Sequence, residues 1–381
     1  MQFTMWAYPW DLRDEGVDSA AARLQQCGVD EITLATNYHT VQAFTPRNPK
    51  RRTFFARSSA YFQPEEDYGL LEPVPYEGMA GDWLAEIAVE LAETDISLSS
   101  WTIGCHNSRL GMKNPEVTLE TAHGDDLVFG LCPSQPAVQE YLCMLVHDLA
   151  TRGIFERIEL ETFDYFYGTG FGWHHQKIHA ELGTLGEFLF GVCFCEHCRA
   201  NAADAGVPVK SVRETVATTV DEIITGDVPS TLSPERWVRA HPAVADYLAV
   251  RERTLESLYA DLASAAGDTP IGSYVGMPEP GNEWLCGVDL KRLGTHVDYY
   301  CLPAYESSPD AVLEAYHTVE ALTSDVPVHV GLLPGQPAVH DGETLETMVV
   351  ALRSVDVPRV SFYNYGLLPE QSLDWIENAS E

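Results

Sequence analysis

The segment Cys193-Phe194-Cys195-Glu196-His197-Cys198 spaces three thiols as C-x-C-x-x-C. At that spacing one loop can turn all three sulfurs toward a single ion. A structural zinc site needs four ligands in a tetrahedron, at about 2.3 Å when the ligand is sulfur, so one more donor is required. Cys132, in "LCPSQPAVQEY", and His197 are the candidates for it. A redox pair would need an isolated C-x-x-C on a thioredoxin-like unit, which the surrounding pattern does not supply. Scattered buried thiols are the remaining alternative. The chain holds nine cysteines, and in a reducing compartment disulfides are not expected, which leaves metal, catalysis or burial.

Acid–base chemistry is signalled upstream, in "RIELETFDYFYG" (157–168). In a strand, Ile158 and Leu160 take one face and Glu159 and Glu161 the other. The apolar pair belongs against covering helices, so both glutamates should point inward, where an unused carboxylate is costly. Glu161, nearer the strand end, should reach the open rim. Candidates for its partner are, in order, Glu306 in "CLPAYES", Asp164, and Glu283 in "GNEW". Glycoside hydrolysis wants two carboxyls about 5–5.5 Å apart for retention or about 6.5–9.5 Å apart for inversion. Asp341, in "HDGETLETM", reads better as a helix N-cap.

Other strand ends carry groups suited to sugars, whose ring faces are apolar and whose edges are hydroxylated. Tyr8, Tyr38, His39, His106, Asn107, Arg109, Tyr305 and Tyr365 are candidate substrate contacts. "GWHHQKIH" (172–179) adds His175 as a further contact; its spacing to His179 would suit a shared metal, but no glutamate stands between them as in H-E-x-x-H. "RNPKRR" with Arg57 puts five of the 23 basic residues into positions 47–57. Such a concentration fits either an anionic sugar or ion pairing with neighbouring carboxylates.

What must position these groups is a series of eight strands, read at 2–10, 31–39, 96–104, 155–163, 269–276, 296–305, 326–334 and 359–368. Helix-period stretches alternate with them, several ending at a glycine such as Gly28 or Gly153. Eight β-then-α units predict a (β/α)₈ TIM barrel over 1–381 as one domain. The longest connections follow the second and fourth strands, where active-site loops belong. Residues 162–268, with the cysteines, read as an insertion of loop and helices within that domain.

Composition narrows the function classes. The formal net charge is −34, from 57 acidic and 23 basic residues spread along the chain. That suits a surface solvated for high salt and opposes nucleic acid, whose phosphates would be repelled. No basic, apolar leader is evident, and no run of about eighteen apolar residues suggests a membrane span. The expectation is a halophilic, cytoplasmic protein with a carbohydrate substrate and no nucleic-acid or membrane partner, a homo-oligomer being left open.

"CPSQPAVQEY" followed by "CFCEHCRA" resembles the paired zinc elements of the family 42 glycoside hydrolases (β-galactosidases). The resemblance covers roughly residues 125–200. It implies a structural zinc held by Cys132, Cys193, Cys195 and Cys198, with His197 outside the site. It also implies an acid/base glutamate at the end of the fourth strand, where Glu161 falls, although Leu160 stands in place of the family's Asn. The family's nucleophile comes from the seventh strand; "VPVHVGLLPG" here contains no acid. The expectation is therefore a glycosidase, or a glycoside-hydrolase-like enzyme, cleaving an oligosaccharide, an acidic sugar included. The catalytic candidates are Glu161, Glu306 and Asp164. The alternatives are a metal-dependent sugar isomerase or epimerase, with Glu161, His106, His39 and Glu306 around a divalent ion, and a non-catalytic sugar-binding barrel.

Overall fold

The computed structural model describes residues 1–165, 168 and 177–381. Eight parallel strands close on themselves: β1 (Gln2–Ala7), β2 (Glu31–Tyr38), β3 (Ser97–Ile103), β4 (Ile158–Glu161), β5 (Ile271–Tyr274), β6 (Tyr299–Pro303), β7 (Val328–Leu332) and β8 (Arg359–Phe362). Closure comes from β1, which pairs with β8 (Met5 beside Phe362) and with β2 (Met5 beside Ile32). Each of the predicted strands is present, in shorter form. The fold is a (β/α)₈ barrel.

Eight helices follow the strands in turn: α1 (Val17–Gln26), α2 (Trp83–Leu91), α3 (Pro136–Thr151), α4 (Pro242–Ala266), the single-turn α5 (Leu290–Leu293), α6 (Pro309–Glu320), α7 (Gly342–Ser354) and α8 (Glu370–Ser380). Their starts are written locally. Asp341 accepts the Thr344 N–H at 2.8 Å, as an N-cap should, and Asp82 accepts that of Ala85 at 2.9 Å. Pro136, Pro242 and Pro309 each open a helix at the first position, where the missing N–H is not needed.

Strand alternation sorts the core. Phe3, Met5 and Ala7 belong to the large apolar cluster, which also takes in the helices between β4 and α4. Trp6 and Tyr8 belong to a second, aromatic cluster with Trp10, Tyr38, Phe54, Tyr61 and Trp101. Trp6 needs room inside the barrel, and Gly331 on β7 supplies it: a Cβ there would stand 2.5 Å from Trp6 Cη2.

The long connections carry elements of their own. After β2, strands Val41–Phe44 and Thr53–Ala56 form an antiparallel hairpin, and Ser59–Ala60 pairs with the end of β2. After β4, helices Gly183–Gly191, Glu196–Asp204, Val209–Thr225 and Pro234–Ala240 precede α4. Among the described residues no helix is long and apolar enough to cross a membrane.

Candidate active site

At the C-terminal end of the strands lies a cavity of about 280 Å³. Glu161 and Asp164 are the acids in its wall; Trp6, Tyr38, Trp101, Tyr274, Tyr305 and Tyr363 surround them. The two glutamates of β4 do point inward, at successive depths. Glu159 is fully buried, and its Oε2 accepts hydrogen bonds from Trp6 Nε1 (2.9 Å) and Tyr274 OH (2.8 Å). Glu161 is at the cavity, its Oε2 accepting from Trp101 Nε1 at 2.5 Å. Burial without a cation raises both carboxyls to about 7. The donors pull down against this, and the charge of Glu159 adds to the rise at Glu161.

Asp164 comes into the same wall through an unusual backbone. Thr162, directly after Glu161, has φ of 55°, a left-handed conformation that a β-branched residue rarely takes. Its carbonyl is held by Cys105 N–H at 2.8 Å and that of Glu161 by Gly104 N–H at 3.0 Å, so β3 fixes this turn. Such strain concentrates at functional sites. Burial raises Asp164 to about 7, against the pull of Arg251. Arg251 is itself buried, lies over the Tyr165 ring at 4.4 Å and donates to Leu285 O at 3.3 Å.

Tyr38, Tyr305 and Tyr363 of the wall connect to a tyrosine network behind it. Tyr8 OH lies 3.1 Å from both Tyr38 OH and Tyr363 OH, and the Tyr305 ring is 5.3 Å from that of Tyr363. The Tyr363–Asn364 peptide is cis. His39, also in the wall, stacks on His106 at 4.6 Å. Burial lowers both imidazoles, His106 to about 3, so they are neutral near pH 7.

The remaining sequence candidates lie elsewhere. Glu306 is half-buried next to Tyr305 but is not part of the cavity wall. Glu283 is buried, its Oε1 taken by the N–H groups of Gly276 (3.2 Å) and Gly281 (3.1 Å), which makes it a loop brace. Asn107 caps the helix Ser108–Lys113 through Leu110 N–H, and Arg109 pairs with Glu77 at 3.0 Å. Tyr8 is buried in the tyrosine network, outside the wall. Tyr365 is buried with its OH on Glu15 at 2.7 Å and Arg47 across its ring. His175 lies outside the described residues.

The basic stretch is largely spent on its own chain. Arg51 and Lys50 reach Asp14 at 2.6 and 3.6 Å, Arg47 donates to the carbonyls of Tyr365 and Leu368, and Arg52 donates to that of Asn48. Two of the five side chains form ion pairs and two more donate to backbone carbonyls. Trp6, Trp101 and Tyr274 are wall residues that sequence reasoning missed. The alternation that revealed Glu159 applies to them also, since Trp101 stands beside Glu159 in register and Trp6 shares its face with Tyr8.

The metal motif forms a separate cluster. The sulfurs of Cys132, Cys193, Cys195 and Cys198 are all buried and lie within 4.8 Å of one another. Cys132 Sγ is 3.5 Å from Cys198 Sγ, 3.6 Å from Cys195 Sγ and 3.7 Å from Cys193 Sγ. Metal–sulfur bonds of about 2.3 Å give a tetrahedron with edges of about 3.8 Å, so the four are placed to hold one metal ion. Cys193 Sγ also accepts the N–H groups of Glu120 and Cys195, both at 3.4 Å. His197 is outside this group. Among the described residues no other three or more of His, Cys, Asp and Glu converge in this way. Glu161, His106, His39 and Glu306 are not brought together into such a group.

No protein-family description and no curated protein matches this chain. Solved structures do resemble it. The PgaB (BpsB) glycoside hydrolase domain from Bordetella bronchiseptica aligns with a TM-score of 0.63 at 13% identity, over 100% of this chain and 97% of that one. The catalytic domain of β-amylase from Paenibacillus polymyxa aligns with a TM-score of 0.59 at 12% identity, over 99% and 97%. The β-galactosidase from the psychrophilic Marinomonas ef1 aligns with a TM-score of 0.60 at 11% identity; all of this chain spans 59% of that protein. The chain shares the barrel fold of these glycoside hydrolases.

Proposed function

We propose that the protein is a glycosidase acting on an oligosaccharide, with Glu161 as general acid and Asp164 as its partner carboxylate. The observation that carries this is Glu161 itself: a carboxyl in the cavity wall, ringed by aromatics, whose burial raises it to about 7. A general acid works best with a pKa near the working pH. Asp164 is the other acid in the wall, and Arg251 favours its anion, which suits a base or nucleophile. The seventh strand offers no rival, as Val328–Leu332 contains no acid. Tyr305 supplies an exposed ring face for the sugar, and the tyrosine hydroxyls its polar edges.

The same reading makes the four-cysteine site a structural zinc clip. Four thiolates leave no open position for substrate. They join the segment just ahead of α3, through Cys132, to the loop before helix Glu196–Asp204 and the first turn of that helix, through Cys193, Cys195 and Cys198. Chelation with EDTA should release one equivalent of zinc, measured with a colorimetric indicator, and lower the melting temperature, whereas hydrolysis should need no added metal.

The test is hydrolysis of an oligosaccharide panel by the parent, Glu161→Gln and Asp164→Asn, followed by reducing-end release. Turnover lost in both variants while each still binds sugar supports the assignment. Sugar binding with no turnover in the parent, unchanged in Glu161→Gln, would identify a non-catalytic sugar-binding barrel instead.

A further inference from the structure

A second cavity of about 290 Å³ lies between the segments that follow β7 and β8. It shares Tyr363 with the first, so the two are neighbours across one side chain. Its polar lining consists of the amides of Gln336 and Gln371, the imidazole of His340 and the hydroxyl of Ser372. No carboxylate, ammonium or guanidinium belongs to the lining, in a chain with 57 acidic and 23 basic residues. A site without charge on such a molecule suits an uncharged, hydroxyl-rich ligand.

Two details show the cavity to be prepared for a ligand. Ser372 is fully buried, and its Oγ has no hydrogen-bond partner. Ser372 and Gly335 both line the cavity, and a Cβ on Gly335 would stand in van der Waals contact with that oxygen, 3.9 Å away. A buried hydroxyl without a partner is a net cost that a ligand hydroxyl removes. Trp375 contributes an indole to the wall, and it is braced from behind. A Cβ on Gly342, in the first turn of α7, would meet its Cδ1 at 2.8 Å. An indole held in place gives a sugar ring a stacking surface at little entropic cost.

We propose that this second cavity is a binding site for a neutral sugar unit, so that the substrate is a chain crossing Tyr363 with units on both sides. The proposal rests on the first cavity binding sugar, and it names the substrate class as an oligosaccharide that is uncharged at this distal unit. Ser372 would hydrogen-bond a ring hydroxyl, and Trp375 would stack on the ring face.

The experiment is calorimetric binding to Glu161→Gln, which prevents turnover, using series from monosaccharide to hexasaccharide derived from cellulose, chitin, starch and xylan. In one series, affinity should rise by about tenfold once the chain is long enough to cross Tyr363. Ser372→Ala or Trp375→Ala should reduce that rise to about twofold or less. Ser372→Ala removes a single oxygen and keeps the test open if Trp375→Ala unfolds. Affinity independent of length in every series, a rise that survives both substitutions, or no binding at all would overturn the proposal. Turnover by the parent with no length dependence would leave the glycosidase reading standing alone. A length-dependent rise without turnover by the parent would leave the second cavity standing alone.

Discussion

The two ends of the barrel both bury glutamates, and they treat them in opposite ways. At the N-terminal end Glu31 is fully buried but meets Arg359 Nη1 at 2.9 Å and Arg157 Nη2 at 3.3 Å. Burial still pushes its pKa up, and Arg157 pulls against that. At the C-terminal end Glu159 and Glu161 receive neutral donors: the N–H of an indole each, with the hydroxyl of Tyr274 and the thiol of Cys301 also at Glu159. Both rise to about 7. A buried carboxylate given cations holds strands together. One given only neutral donors keeps its proton near neutrality, and so can give it away.

The largest effect should come from removing the proton donor. Glu161→Gln keeps the shape and should lower kcat by about 10²–10⁴-fold, read from initial rates on the best substrate of the panel. A loss of less than tenfold would move catalysis away from β4. At the other end, Arg359→Met breaks a buried pair and should cost about 3–5 kcal/mol of stability, measured by urea unfolding at pH 7. If it costs nothing, the contrast between the ends is wrong.

Glu159 should make the stability of the fold depend on pH. Its folded pKa of about 7 lies above the value of about 4.3 expected unfolded, so the folded protein binds a proton that the unfolded chain gives up. The stability tied to that proton is complete below about pH 4 and is lost as pH rises toward about 7. Glu159→Gln removes the titration. The variant should gain on its parent as pH goes from 4 to 8, by about 1.4 kcal/mol for each pH unit that separates the folded from the unfolded pKa. Unfolding midpoints at those two pH values check it, and a variant that is relatively weaker at pH 8 would contradict the sign.

The smallest effect concerns one hydrogen bond. Trp101 holds the pKa of Glu161 down, so Trp101→Phe should move the alkaline limb of the activity profile upward. A downward move would mean that Glu161 is not the acid reporting there.

Much of this site is legible in the residue order. The inward aim of Glu159 and Glu161 follows from strand period, because Ile158 and Leu160 have to face helices. Asp341 reads as a cap from its place before Gly342 and Glu343, and the cysteine spacing points to one ion. Other features are not legible. Period says which face a side chain takes only while the strand lasts. Glu306 and Asp164 both follow strand ends, and the turn at Thr162 is what brings Asp164 into the cavity wall while Glu306 stays outside it. Tyr365 sits close to Tyr363 in sequence, yet it turns away to Glu15. The basic run at 47–52 looks available for a ligand, because sequence does not show Asp14 lying under Arg51.

By itself, then, the order of residues determined the eight-unit barrel, the facing of its strands and the C-x-C-x-x-C cluster of three sulfurs. Those depend on local period and spacing, which short-range geometry enforces. Only the tertiary structure decided which acid accompanies Glu161, which aromatics enclose it, and where a second, uncharged cavity opens beside Tyr363. Those depend on how distant segments meet, and on burial that no residue carries alone.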